Sequence, residues 1–188
     1  MSYRRGMQVR RPDGYEIDTD HERLDVTRVH AWISTDSYWA AGRSAETMAT
    51  AIAGSICYGV YAPDGEQVGF ARVVTDRATF AWLCDVYIDR STRGLGLGTW
   101  LARSVVADMA PLGLKRMLLA TADAHEIYRR AGFTELPDPW RWMRVDLQAV
   151  AQRQTAAAET GSGDFVDDPR GVPNATQGRD VRGESPVN

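Results

Sequence analysis

A glycine-rich segment, Arg93-Gly94-Leu95-Gly96-Leu97-Gly98, has the residue types and the spacing of an anion-binding loop. It follows a long apolar run and precedes a segment in which apolar residues recur at helical spacing, so it joins a strand to a helix N-terminus. Free backbone N–H groups and the positive end of the helix dipole then converge on one point. Gly94, Gly96 and Gly98 leave the backbone bare, and Arg93 adds a charged donor. The segment therefore predicts a phosphate or pyrophosphate site.

The glycine spacing distinguishes this loop from two common nucleotide-binding loops. A dinucleotide fingerprint, Gly-x-Gly-x-x-Gly, would need glycine in place of Thr99 or Leu101. A P-loop would need a Gly-Lys pair, which the chain does not contain. The spacing thus disfavours a nucleotide-binding protein, which should bind ATP or NAD. The remaining pattern is Arg-x-x-Gly-x-Gly after a long strand.

One carboxylate, Asp85, lies in the otherwise apolar strand that leads to this loop. A carboxylate that is buried there without a partner is costly. Two interpretations are open. Asp85 either acts on an incoming ammonium group, as a base with a raised pKa or by attracting the cation, or it is a carboxylate that is paired with Arg72 or satisfied at a strand bulge.

The elements that position these residues follow from the periodicity of the apolar side chains. Helices are predicted to begin after the capping residues Asp25, Ser44 and Asp123 and after the glycine loop. Strands are predicted at residues 15–19, 56–62, 68–75, 78–88 and 117–121, with closing strands at Phe133 and at 140–147. The order β-α-α-β-β-β-α-β-α-β-β indicates an α/β fold, with a mixed sheet and helices on both of its faces.

Two motifs in this order resemble those of the GCN5-related N-acetyltransferase (GNAT) family. The first is the triplet Val86-Tyr87-Ile88 followed by the Arg-x-x-Gly-x-Gly loop. The second is Ala124, then Tyr128 four residues later, then the pair Gly132-Phe133. The resemblance covers about residues 15–146. It implies an acetyl-CoA-dependent N-acetyltransferase with a splayed central sheet, and the alternative is a non-catalytic acyl-CoA-binding module.

The resemblance also implies where acetyl-CoA binds, which is between the strands that end at Ile88 and Thr121. Backbone groups of Val86 and Ile88 would bind the pantetheine amides. Thr121 stands where the family often has an asparagine that contacts the cofactor. The pyrophosphate would be held by Arg93, Gly94, Gly96, Gly98 and Thr99.

The same resemblance suggests catalytic roles. Tyr128 stands in the place of a tyrosine that, in the family, often lies near the thioester sulfur and protonates the departing thiolate. When an amine attacks the thioester, the N–H of Val86 would stabilise the oxyanion. Tyr38, Trp39 and Arg43 lie in a region that commonly closes over the acceptor in the family, although helix–helix packing would also explain these residues.

Composition sets limits on the partners. The chain has 188 residues, 44% of them apolar, and a net charge of −3, which favours one globular domain without nucleic-acid affinity. No apolar run is long enough to cross a bilayer. Two cysteines and three scattered histidines make a metal centre improbable. We expect a cytoplasmic enzyme whose acceptor is a small-molecule or peptide amine, with no nucleic-acid or membrane partner.

The composition also divides the chain into three parts. Residues 1–14 are expected to be a flexible N-terminus, and residues 15–147 the acetyltransferase domain. Residues 148–188, rich in glycine, proline, serine, aspartate and arginine, are expected to form a disordered tail. The closing strand that carries Trp140 and Trp142 is an edge that can pair between subunits, which suggests a homodimer.

Overall fold

The computed structural model describes residues 6–159, and these fall into two units that are divided after Leu136. The first unit contains six strands and four helices, and the second contains one helix. The strands are β1 (Gln8–Arg10), β2 (Glu16–Asp18), β3 (Ile56–Tyr61), β4 (Gln67–Thr75), β5 (Phe80–Ile88) and β6 (Arg116–Leu118). The helices are α1 (Val26–Thr35), α2 (Ala45–Ala53), α3 (Leu97–Met109), α4 (His125–Arg130) and α5 (Leu147–Glu159).

The six strands form one mixed sheet in the order β1-β2-β3-β4-β5-β6. The pairs from β1 to β5 are antiparallel, because short connections or the returning α1–α2 segment join them. Strand β6 pairs with β5 in parallel, as expected after a helical crossover through α3. The predicted fold class, an α/β fold with a mixed sheet, is confirmed.

Each of the first two helices begins at the capping residue that the sequence predicts. The Asp25 carboxylate accepts a hydrogen bond from the backbone N–H of Arg28 at 2.9 Å. The Ser44 hydroxyl accepts one from the N–H of Thr47 at 3.1 Å. Such caps satisfy N–H groups that have no partner within the helix, and each contributes about 1 kcal/mol to stability.

The hydrophobic core has two parts, one on each face of the sheet. Alternation along the strands separates them, because Cys57 joins one part and its neighbour Tyr58 joins the other. On the first face, α3 packs Leu97, Leu101, Val105 and Met109 against Tyr58, Val60, Ala71, Val73 and Leu83. On the second face, α1 and α2 pack Val29, Ile33, Met48 and Ile52 against Cys57, Phe70 and Tyr87. The sheet is therefore covered on both faces, as predicted.

Residues 6–14 differ from the prediction of a flexible stretch over residues 1–14, of which residues 1–5 lie outside the described part. Strand β1 lies within it and pairs with β2. Side chains reinforce this edge pairing, because Arg10 donates to Glu16 at 2.6 Å and the N–H of Met7 donates to the Thr19 hydroxyl at 2.7 Å. A three-residue edge strand has no apolar alternation by which the sequence could reveal it.

Neither of the two predicted closing strands forms. The segment 140–147 is not a strand, and Phe133 lies in irregular backbone at the end of the first unit. Pro137 and Pro139 lack N–H donors for a sheet ladder, and a short 3₁₀ turn, Pro139–Arg141, follows. The homodimer that was predicted from this strand stays a prediction, and the strand on which it was based does not form.

Helix α5 also replaces the first part of the predicted disordered tail. Its sequence, LQAVAQRQTAAAE, is rich in alanine and glutamine, which have high helix propensity. The rest of the predicted tail, residues 160–188, lies outside the described residues. Within residues 6–159, no helix is long and apolar enough to cross a membrane.

Candidate active site

The sheet opens between its last two strands. Pairing of β5 with β6 ends at Trp82 and Leu118, whereas β5 continues for six more residues to Ile88. A cavity of about 940 Å³ occupies this opening. It is lined by the second half of β5, the glycine loop, the start of α3, the segment from Ala120 to Tyr128 and the α1–α2 connection.

All the residues predicted for the site line this one cavity. They come from three separate segments, so only the fold brings them together. The segments are the end of β5 with Asp85, Val86 and Ile88, the loop and first turn of α3 with Arg93, Gly94, Gly96, Gly98 and Thr99, and the stretch that carries Thr121 and Tyr128.

The backbone of β5 presents hydrogen-bonding groups to the opening. The N–H of Asp89 donates to the carbonyl of Val68 at 2.9 Å, so it points towards β4. Because successive residues of a strand point their backbone groups to opposite edges, those of Val86 and Ile88 point away from β4 and into the opening. The Ile88 carbonyl accepts a hydrogen bond there from Arg93 Nε at 3.0 Å. An extended ligand can add to this edge as a strand would.

The glycine loop is built for a backbone anion site. Gly94 and Gly96 have φ values of +83° and +74°, in the left-handed region that favours glycine. Gly96 is the N-cap of α3 and offers no side-chain cap. Because the first backbone hydrogen bond at this helix end runs from Trp100 to Gly96, the N–H groups before it have no intrahelical partner. A Cβ at Gly94 or Gly96 would meet no atom within 4 Å, so the space beside both residues is open.

Gly98 differs from the other two glycines of the loop. Its φ is not positive, and it already lies inside α3. A Cβ there would contact Ile127 at 3.7 Å and Ile88 at 3.8 Å, which are ordinary van der Waals distances. Neither backbone conformation nor the surrounding protein therefore requires glycine at this position.

Arg93 is held near the loop by several groups. Besides its bond to Ile88, its guanidinium lies 3.8 Å from the Asp36 carboxylate and 5.4 Å from the centre of the Tyr87 ring. Asp36 also accepts hydrogen bonds from Arg90 and the Tyr87 hydroxyl, and these bonds lower its pKa to about 2. The side chain of Arg93 is still half exposed, so it can turn to a bound anion.

Asp85 occupies a β-bulge. Cys84 pairs with Arg72 and Tyr87 pairs with Phe70, so two residues of β5 stand opposite Ala71 alone. Asp85 has a φ of +51°, an uncommon value for a residue other than glycine. The bulge places the Asp85 side chain on the face of the sheet that α1 and α2 cover.

Both oxygens of the Asp85 carboxylate are engaged in ion pairs or hydrogen bonds. Its Oδ2 accepts from Arg43 Nη1 and from Arg72 Nε, both at 2.5 Å, and its Oδ1 accepts from the Trp39 indole at 3.2 Å. Burial opposes ionisation, but the hydrogen bonds from the two arginines outweigh it and lower the pKa of Asp85. The expectation of a raised pKa is therefore wrong, and both parts of the second interpretation, pairing with Arg72 and a place at a strand bulge, are confirmed.

The sequence did not reveal that Arg43 and Trp39 are partners of Asp85. The only signal was a cluster of aromatic residues with one arginine in the connection between the first two helices. Tyr38 and Trp39 line the cavity with 60% and 44% of their surface exposed, so they form its wall rather than a helix–helix contact. The Tyr38 hydroxyl accepts a hydrogen bond from the N–H of Ala122 at 3.1 Å, and so the connection reaches the opposite side of the opening.

Tyr128 lies in α4 with its ring half-buried against Phe133, at 5.9 Å between ring centres. Burial, followed by the nearby Tyr38 hydroxyl and the Asp123 carboxylate, raises the pKa of Tyr128 to about 12. The phenol therefore keeps its proton at neutral pH and can act as a hydrogen-bond donor or a general acid.

Thr121, and not the predicted Asp123, makes a side-chain hydrogen bond to the backbone just before α4. Its hydroxyl accepts a hydrogen bond from the N–H of Ala124 at 3.1 Å, just before α4 begins. Asp123 was predicted to cap this helix, but the N-cap is Ala124, without a side-chain hydrogen bond, so that prediction is wrong. Within residues 6–159, no group of three or more histidine, cysteine, aspartate or glutamate side chains is placed to hold a metal ion.

Comparison with known proteins finds a matching family model, relatives in sequence and similar solved structures. Residues 24–133 match the family model described as the acetyltransferase (GNAT) family. FG08082 of Gibberella zeae, which is named as an acetyltransferase, is 32% identical over an alignment of 135 positions that covers 61% of this chain and 75% of that protein. Serotonin N-acetyltransferase 2, a chloroplastic protein of Oryza sativa subsp. japonica, is 36% identical over 80 residues, 42% of this chain and 40% of its own length. A crystal structure of a GNAT-family protein from Xanthomonas campestris pv. campestris superposes with a TM-score of 0.66 at 39% identity, covering 70% of this chain and 92% of that one.

Proposed function

The chain belongs to the acetyltransferase (GNAT) family of acyl-transferring enzymes, and from this premise we propose that it moves an acetyl group from acetyl-CoA to the nitrogen of a small-molecule or peptide amine. One observation carries the proposal. The free edge of β5, the bare turn at Gly94 and Gly96 and the Tyr128 phenol all line a single cavity.

The residues present fit the diphosphate and pantetheine parts of CoA. The open space beside Gly94 and Gly96 admits an anion to the N–H groups at the start of α3. Thr99 and the half-exposed Arg93 add side-chain donors beside it. The outward-pointing groups of Val86 and the N–H of Ile88 are positioned for the pantetheine amides, and the Ile88 carbonyl, which accepts a hydrogen bond from Arg93 Nε, becomes available when Arg93 turns to the diphosphate. Thr121 keeps a hydroxyl lone pair for the cofactor, although its first bond is to Ala124.

Acetyl-CoA supplies the activated thioester, and the protein supplies position and hydrogen bonds. We assign the oxyanion donor to the N–H of Val86, because it points into the opening beside the bulge. A fixed donor of this kind typically contributes 10²- to 10³-fold to the rate. Holding the amine and the thioester together contributes more, since it replaces a bimolecular encounter.

Tyr128 is the proposed general acid for the departing thiolate. Its pKa of about 12 keeps the phenol protonated over the whole physiological range. A thiolate is a stable leaving group, so a positioned acid should accelerate the reaction without being indispensable. Asp85 takes no part in proton transfer in this scheme and instead holds Arg43 and Arg72.

The experiment is an assay of thiol release from acetyl-CoA with a panel of amines, which includes serotonin because of the name of the rice relative. Gly96→Glu should abolish CoA binding through steric block and charge repulsion. Gly65→Glu is the matched control, because Gly65 has the same left-handed conformation in open space but lies in a turn outside the cavity. CoA binding without turnover of any amine would favour the non-catalytic acyl-CoA-binding module, and unchanged CoA affinity in Gly96→Glu would refute the pyrophosphate site.

A further inference from the structure

We propose that Arg43 and Arg72 bind an anionic group of the acceptor, a carboxylate or a phosphate, so that the enzyme prefers amines that carry one. The inference rests on the proposed function and narrows its substrate class. It starts from a cluster in the cavity wall that consists of Arg43, Arg72, Asp85 and Trp39.

The charges in this cluster do not balance. Two guanidinium groups share one carboxylate, which leaves an excess of one positive charge in a wall that is largely removed from water. The side chains of Arg43 and Arg72 are 20% and 14% exposed, and that of Asp85 is 2% exposed. Because electrostatic interactions are stronger where water is excluded, this excess charge favours an anion at the cavity surface.

The carboxylate of Asp85 is a poor site for an ammonium group, because the two guanidinium groups that it holds would repel one and only one lone pair, on Oδ1, is unused. Both of its oxygens already accept hydrogen bonds, Oδ2 from the two arginines and Oδ1 from Trp39. The wall is therefore unsuited to bind the cationic form of an amine, although it contains a buried acid.

The guanidinium groups, in contrast, keep unused donors. Each arginine has five N–H donors. Within the described residues, Arg43 contacts Asp85 and Met48 through Nη1, and Arg72 uses Nε for Asp85 and Nη1 for Ser55. Nε and Nη2 of Arg43 and Nη2 of Arg72 remain for a ligand. Two adjacent guanidinium groups match the geometry of a carboxylate or phosphate.

The other carboxylates around the cavity are paired with other arginines or lie on another part of its wall. Asp36 is held by Arg90 and Arg93 beside the glycine loop, and Glu126 is paired with Arg130 on α4. Asp123 precedes α4, on the side of Tyr128. None of these carboxylates makes an ion pair with Arg43 or Arg72, so the excess positive charge of the two arginines is not cancelled.

The cluster lies next to the proposed oxyanion donor along the chain. Asp85, which holds both arginines, directly precedes Val86. An acceptor with a short spacer between its anion and its amine, as in an amino acid, suits this arrangement. Exposed aromatic surface from Tyr38 and Trp39, with Trp82, lines the same side and can cover an apolar body.

The test compares pairs of amines that differ only in the anionic group. Serotonin is paired with 5-hydroxytryptophan, phenethylamine with phenylalanine, and ethanolamine with O-phosphoethanolamine. For each pair, kcat/KM for CoA release is measured, and calorimetry in the presence of CoA measures acceptor binding without turnover. We expect the charged member to be favoured roughly 10- to 100-fold, the effect of one charge-assisted hydrogen bond. The first two pairs report a carboxylate preference and the third a phosphate preference.

Variants separate recognition from a structural role. Arg43→Gln should raise KM and reduce the preference for the charged member to near unity, and Arg43→Lys should restore part of it. Arg28→Gln is the matched control, because Arg28 is ion-paired with Glu66 outside the cavity. If Arg43 only supports the fold, Arg43→Gln lowers the activity on both members of a pair equally, and the inference is overturned.

The outcomes for the two proposals can be told apart. Turnover of serotonin and phenethylamine with no gain from the carboxylate or phosphate would leave the acetyltransferase proposal intact and overturn the anion site. CoA binding without release of thiol from any amine would overturn the proposed catalysis. In that case, selective binding of the charged members in calorimetry would still support the anion site, and its absence would refute it.

Discussion

The two kinds of glycine in the loop should change stability in opposite directions when each is replaced by alanine. At Gly96, with φ of +74°, an alanine meets no atom within 4 Å, so the entire cost is backbone strain. The left-handed conformation costs a residue with a Cβ about 1–2 kcal/mol relative to glycine. At Gly98, in contrast, alanine is sterically compatible, and it is a better helix former by about 0.5–1 kcal/mol.

The strain at Gly96 must appear in one of two measurements. If the loop of Gly96→Ala keeps its conformation, the free energy of unfolding falls by about 1–2 kcal/mol, and the melting temperature falls by about 2–8 °C for a chain of this size. If the loop relaxes instead, CoA must restore the left-handed turn, and CoA affinity falls about 5- to 30-fold. Gly98→Ala should be equally or more stable than the parent protein.

Thermal unfolding and calorimetric titration with CoA measure the two quantities on the same samples. The decisive comparison is the sum of the loss in unfolding free energy and the loss in CoA binding free energy for Gly96→Ala. A sum near zero would show that the positive φ at Gly96 is not required. A Gly98→Ala variant that loses as much stability as Gly96→Ala would show that the loop is sensitive to any side chain, and not only to one at the residue with a positive φ.

Three further predictions concern the acid, an ion-pair network and the bulge. Tyr128→Phe should lower kcat about 10²- to 10⁴-fold while leaving the Kd of CoA unchanged, as stopped-flow kinetics and calorimetry would show; a full-rate variant would exclude the phenol from the chemistry. Glu16 accepts hydrogen bonds from Arg23 and Arg10, which lower its pKa from 4.5 to about 2. Between pH 2 and pH 4.5 the unfolded chain therefore binds more protons than the folded one. The contribution of Glu16 to the free energy of unfolding should be full above pH 4.5 and decline as the pH falls towards 2. Glu16→Gln should flatten this pH dependence in denaturant titrations at several pH values. Asp85→Asn should destabilise the protein by about 3–5 kcal/mol in urea unfolding, because it leaves two buried guanidinium groups without their anion; a loss below 1 kcal/mol would contradict the ion pairing.

Local signals in the sequence were sufficient for the elements that depend on near neighbours. Asp25 and Ser44 mark the starts of α1 and α2, because a capping side chain needs only the next three residues to form its bond. The glycine loop was predictable for the same reason, since its backbone conformation and the helix that follows are set within a few residues. The order of the elements then led to the mixed sheet.

The features that were missed depend on contacts between distant parts of the chain. The bulge at Asp85 could be given only as one open alternative, because it is defined by the register of β5 against β4. The partners of Asp85 come from the α1–α2 connection, more than 40 residues earlier. An apolar and aromatic composition at 140–147 resembles a strand, but a strand also needs a neighbouring edge, and proline at 137 and 139 interrupts the approach to one.

The bulge also means that chain length, and not only residue identity, determines what the cavity contains. Side chains alternate between the two faces of a strand, so the extra residue reverses the alternation for everything that follows it. If β5 kept all its residues but ran without the bulge, Tyr87 would turn away from α1 and exchange faces with Val86 and Ile88, whereas deleting residue 85 would keep Tyr87 opposite Phe70 and remove only the bulge. A single-codon deletion there would thus take away the carboxylate that Arg43 and Arg72 share, while the contact of Tyr87 with Arg93 and the lead into the glycine loop stay in register.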